Sequence, residues 1–182
     1  HGSFLTASAN GVDTSPVVRG VYVLEKILGY TPPPPPPDVP VIEPDIRGAI
    51  TVREQLVKHR EIVTCAECHR KIDPLGFALE NYDAIGGWRD RYDGKRKIDP
   101  SGKLPGGKSF STNAEFRELI VGQEETFTRC LAEKLLTYAI GRELDGNDRP
   151  SIDSICQSIK GENRGLRDLV EAIVTSESFL RN

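Results

Sequence analysis

A mainly α fold follows from three features of the sequence. Apolar residues recur at helical spacing along most of the chain, most regularly in its last third. Ser-Pro and Asp-Pro pairs and glycines stand where such stretches start and stop. Dense turn signals are confined to residues 88–110. At 182 residues the chain is one domain or two small ones, long enough to bury a real core. Its 24 basic and 27 acidic residues leave a net charge of −3, which excludes a polybasic binder of nucleic acid or lipid surfaces. Its apolar runs are shorter than the ~20 residues a membrane span needs. The chain contains no Met, so it reads as a processed product or a piece of a longer protein, with any targeting segment gone.

The elements follow in order. Residues 1–14 are small and polar, a loop or a frayed end. Residues 15–29 predict a short helix: Ser15 caps it, Pro16 suits its first position and Gly29 stops it. Val18, Val21, Leu24 and Ile27 or Leu28 form its apolar stripe. Pro32 to Pro37 predict a polyproline II rod of about 19 Å, a stiff strap across the surface. Residues 47–63 are helical in pattern, with Ile50, Val52, Leu56 and Ile62 or Val63 apolar, and lead into Cys65. Asp73-Pro74 predicts the start of a further helix that holds Leu75, Phe77, Ala78, Leu79 and Tyr82 and ends at Gly86-Gly87. Residues 88–110 predict a small hairpin or irregular lobe. Asp93, Asp99 and Ser101 there do not match a calcium-binding loop, and turn chemistry explains them. Four helices are expected near 112–121, 124–141, 150–160 and 164–176. The stripe of the second comprises Leu131, Leu135, Leu136, Ala139 and Ile140. Ile152, Ile155, Cys156 and Ile159 stripe the third, and Leu166, Leu169, Val170, Ile173 and Val174 the last. The regions are therefore an N-terminal helix and strap (1–46), a lobe (47–111) and a C-terminal helical bundle (112–182).

The lobe carries the chemistry. Cys65-Ala66-Glu67-Cys68-His69 is C-x-x-C-H, the pattern for covalent attachment of one c-type haem. Two thiols add to the two vinyl groups, and the next residue, His69, is held under the iron as proximal ligand. Phe77, Leu79 and Tyr82 are candidates for an apolar wall, and Arg60 and Arg70 for partners of the propionates. A zinc site would have to draw on the scattered Cys130, Cys156 and His59. A thioredoxin-like pair would need a βαβ setting, which the pattern lacks. Haem attachment takes place outside the cytoplasm, where disulfides persist, so a periplasmic or extracellular location is expected. Cys130 and Cys156 fall on consecutive helices. They read as a disulfide closing about 26 residues, worth roughly 3–4 kcal/mol in the chain-entropy model, or as two buried thiols.

With no Met, His/Met ligation is excluded, and with it the rise in potential that a thioether brings. The distal candidates are His59, His1, a Lys or Tyr, or an open position. On a helix unbroken into Cys65, His59 points away from the distal face unless the chain loops back.

Long stretches resemble the planctomycetal-type cytochrome c domain proteins: Gly2–Thr6, Thr14–Gly20, Val23–Glu25 with the proline run, Cys65–His69, Ile72–Asp83, Ile98–Pro105 and Cys130–Ala139. The resemblance implies the C-terminal part of a large secreted or periplasmic protein in which uncharacterised domains surround haem motifs. Several members carry Met where Ile72 stands here, which removes Met ligation at that position. It also implies that His1 is an interior His of the longer pattern.

The chain thus reads as an electron carrier with one covalent c-type haem, bis-His or otherwise non-Met ligated and of low potential, rather than as an enzyme. Its partners would be a redox protein or other haem domains of a larger parent, not nucleic acid or a membrane. A haem peroxidase-like enzyme with an open distal site, and a docking module stapled by haem, are the alternatives.

Overall fold

A computed structural model describes residues 2–34, 51–59, 63–92, 94–161 and 164–181. The chain is mainly helical, as expected, and divides into two compact units. Residues up to 25 and from 30 to 122 form the first, and residues 26–29 with those from 123 onward form the second.

The first unit begins with a difference from expectation. Gly2–Ala7 is a helix, α1, not a frayed end. Its own sequence is a weak helix former, and tertiary contacts hold it: Leu5 is buried and the Phe4 ring stacks on Tyr22 at 4.0 Å. Helix α2 (Pro16–Tyr22) starts as the sequence predicts. The Ser15 side chain accepts a hydrogen bond from the Val18 amide, and Pro16 occupies the first turn. The helix passes into a π-helical turn over Val23–Ile27, and Gly29 follows in a left-handed conformation at φ 68°. Of the proline run, Pro32–Pro34 are described and lie outside any regular element; the rest of the expected strap, with Ile50 and Ile62, falls outside the described residues.

Helix α3 (Val52–His59) buries Val52 and Leu56 against Phe77. Helix α4 (Val63–Phe77) corrects a second expectation. Asp73-Pro74 does not start a helix; Pro74 lies inside α4. A proline there removes one backbone hydrogen bond. Packing compensates: α2 lies directly on α4, so closely that a Cβ on Gly20 would overlap the Ile72 carbonyl and one on Gly76 the Pro16 carbonyl. Residues 78–83 then run through turns rather than the expected helix. Two short hairpins follow, β1–β2 (Arg91–Tyr92, Arg96–Lys97) and β3–β4 (Gly102–Lys103, Ser109–Phe110), in the segment whose turn signals predicted them. Asp99 Oδ1 accepts from the Ser101 amide at 3.0 Å, the local turn chemistry expected of it. Thr112 caps α5 (Asn113–Val121), which packs in the same unit through Phe116 on Phe110 and through Asn113 Nδ2 donating to the Ala78 carbonyl.

A buried charged knot joins these pieces. Arg19, fully buried, donates to the carbonyls of Leu79 (2.9 Å), Tyr82 (2.7 Å) and Asp83 (2.9 Å) and lies 3.5 Å from Glu80. Glu80, also fully buried, accepts from Thr14 at 2.8 Å and Tyr92 at 3.2 Å and meets Arg89 at 3.5 Å. Burial pushes the Glu80 carboxyl up and the Arg19 guanidinium down, and the charges they present to each other oppose both shifts.

The second unit is built from α6 (Glu124–Ile140), α7 (Arg149–Ser158), α8 (Leu166–Val174) and α9 (Glu177–Leu180). Ala132, Leu136, Ile140, Ile152, Ile155, Leu169 and Ile173 form its core. Of the five residues of the α8 stripe only Leu169 and Ile173 are buried: Leu166, Val170 and Val174 are exposed, as is Ala139 on α6. Before α7, Asp148 takes both guanidinium nitrogens of Arg142, at 2.7 and 3.0 Å, and the Asp145 amide. Those bonds, the Arg142 pair first, hold its carboxyl well below the usual range. No described helix is long and apolar enough to cross a membrane.

Two expected outcomes follow from these charges. Arg19→Met leaves Glu80 buried with weaker compensation and costs about 3–5 kcal/mol in denaturant unfolding. Arg19→Lys does not restore it, because an ammonium cannot reach three carbonyls with a planar fork. Asp148 titrates lower folded than unfolded, so its contribution is present above the ordinary carboxylate range and lost as pH falls below about 4. Thermal midpoints measured from pH 6 to pH 2 should therefore fall more steeply for the wild type than for Asp148→Asn.

Candidate haem attachment site

The motif is helical. Cys65, Cys68 and His69 stand at i, i+3 and i+4 on α4, a spacing that sets them on one face. Cys65 is buried, Cys68 is partly exposed, and the His69 ring keeps 16% of its surface accessible. One turn further on the same face is Asp73, whose carboxyl is fully buried. Its Oδ1 lies 2.8 Å from His69 Nδ1. With Asp73 as a carboxylate, which only accepts, Nδ1 carries the proton and Nε2 is left as the nitrogen a metal would take.

This partner is a candidate site residue that the sequence reading missed. Asp73 was expected as a helix cap because a proline follows it. The signal for this contact is the His-x-x-x-Asp spacing, which aligns the two side chains when residues 69–73 are helical.

The remaining candidates have different surroundings. Arg70 is exposed on α4 beside the motif. Phe77 lies two turns beyond His69, about 12 Å along the axis, under the Arg53 guanidinium at 4.0 Å and within the core of Val52 and Leu56. Leu79 and Tyr82 lie past the end of α4, where their carbonyls serve Arg19; the Tyr82 ring meets Trp88 edge-on at 5.2 Å. The structure brings together Cys65, Cys68, His69 and Asp73, while Phe77, Leu79 and Tyr82 are engaged in the fold around them. His59 closes α3, its side chain lying outside the described residues together with His1 and Arg60.

The expected Cys130–Cys156 disulfide is not formed; all four cysteines are thiols. Their surroundings explain why. Cys130 faces residues 26–29, its Sγ donating to the Lys26 carbonyl at 3.5 Å and its Cβ packing against Gly29. Cys156 sits at the edge of the helical core beside Arg129, Asp153 and Lys160. Burial pushes both thiols up, which lowers their reactivity. Among the described residues no group of three or more His, Cys, Asp or Glu side chains converges as a metal cluster.

The donor set suits a covalently attached haem: two thiols one helical turn apart and an imidazole whose orientation a carboxylate sets. Two known families match the chain. Residues 1–92 match a model described as "Protein of unknown function (DUF1588)", and residues 106–179 match one described as "Protein of unknown function (DUF1585)". No curated protein and no solved structure matches the chain.

Alkylation of the haem-free chain without reductant checks the cysteine assignment. Cys68 and Cys156 should be labelled under native conditions, and Cys65 and Cys130 only after unfolding. Resistance of the Cys130–Cys156 pair to labelling in denaturant would restore the disulfide.

Proposed function

The chain belongs to the family described as "Protein of unknown function (DUF1588)", one of the planctomycete cytochrome c-associated domains, and on that premise we propose that it is an electron-transfer module holding one c-type haem. Cys65 and Cys68 each add a thiol across one vinyl group, the sulfur bonding to one carbon and the proton going to the other. His69 presents Nε2 to the iron, and Asp73 orients the ring. When bound, the haem supplies a centre that takes up and returns one electron.

The observation that carries the reading is the single helical face of Cys65, Cys68 and His69, with Nδ1 of His69 already engaged by Asp73. The chain has no Met to offer as sixth ligand, which favours a low potential. His59 and His1 are the candidates for that position, and Arg60 and Arg70 for the propionates. The partners are a redox protein or further haem domains of a longer parent, in the periplasm or outside the cell.

Expression with a haem-attachment system tests this. The protein should keep its haem through denaturing electrophoresis, gain the mass of one haem, and lose both properties in Cys65→Ala/Cys68→Ala. A mass equal to the bare polypeptide would sink the proposal. Turnover of peroxide by the loaded protein would reassign it to an enzyme.

A further inference from the structure

Resting on the reading above, we propose that Asp73 is a positioning residue that sets the reduction potential of the site through His69. Three observations combine. The Oδ1–Nδ1 distance of 2.8 Å is that of a strong charge-assisted hydrogen bond. The Asp73 carboxyl is fully buried, so its field on the imidazole is weakly screened by water. The pair is also prealigned: both residues sit on α4, and the turn carrying Asp73 is clamped on either side, with Ile72 against Gly20 and Gly76 against Pro16.

The consequences are electrostatic. A carboxylate drawing on the Nδ1 proton gives the ring anionic character and makes Nε2 a stronger donor. A stronger donor with a nearby negative charge stabilises the more positive, oxidised iron over the reduced one. The hydrogen bond also stops the ring from turning about its Cβ–Cγ bond. Asp73 thereby lowers the potential in addition to what the missing Met already implies. Nothing in C-x-x-C-H demands a carboxylate four residues later, so the effect comes from Asp73 and not from the motif.

Asp73→Asn tests the charge at nearly constant volume. In the haem-loaded protein, redox titration should show the equilibrium moved at least tenfold toward the reduced form, about 59 mV for a one-electron couple. Asp73→Glu, which keeps the carboxylate, should fall between the two. Helical circular dichroism and covalent haem content should be unchanged in a folded variant. A folded, haem-loaded Asp73→Asn with the wild-type potential overturns the inference while leaving haem binding intact; absence of covalent haem from the wild type overturns the earlier reading instead. If Asp73→Asn does not fold, the reduced wild type decides by proton NMR. A His69 Nδ1 proton protected from exchange supports the hydrogen bond, and one exchanging as fast as in free imidazole overturns it.

Discussion

The first unit depends on how closely α2 approaches α4. Two glycines set that approach, Gly20 on α2 and Gly76 on α4, each with a backbone carbonyl of the other helix where a side chain would otherwise begin. Such a crossing brings the helices together over a face with almost no side chains between them. It leaves Leu75, Phe77 and Ala78 in the core and encloses the turn that contains Pro74. A proline inside a helix costs about 3 kcal/mol in isolation. Here neighbouring backbone and side chains hold the helix on both sides of it, and α4 runs on to Phe77. The motif and Asp73 consequently share one rigid element.

Beyond the end of α4 the chain has little regular structure, and buried polar bonds take over. Arg19 reaches from α2 to three carbonyls in residues 79–83, and Glu80 reaches back to Thr14, Arg89 and Tyr92. A buried pair of this kind is weak evidence of net stability, since desolvation offsets much of the attraction. Its value lies in direction: apolar side chains would pack at this place in many arrangements, whereas one guanidinium satisfies three carbonyls in only one.

The same low-dielectric interior would give Asp73 its proposed leverage on His69. On the surface, a carboxylate beside a histidine acts weakly and is screened by salt. Fully buried on α4, it can act on the ring through a short bond. On the proposed reading the architecture separates two tasks: sequence-local thiols would provide attachment, and tertiary burial would provide the electrostatic setting of the ligand.

Much of this was open to reading from the residues alone. The C-x-x-C-H motif, the Ser15 cap, the turns after residue 88 and the helices of the last third all depend on contacts within a few residues. A linear pattern records such contacts directly. Other features depend on what lies across the fold. Helix α1 exists because Phe4 and Leu5 find partners, Asp73 meets His69 because residues 69–73 continue α4 instead of starting a new helix, and Leu166, Val170 and Val174 of the α8 stripe stay exposed because the core closes over Leu169 and Ile173. Cys130 and Cys156 remain apart because each faces its own neighbours. By itself, then, the sequence determined which side chains stand one helical turn apart; which of them are buried, and against what charge, was decided only when distant segments excluded water from between them.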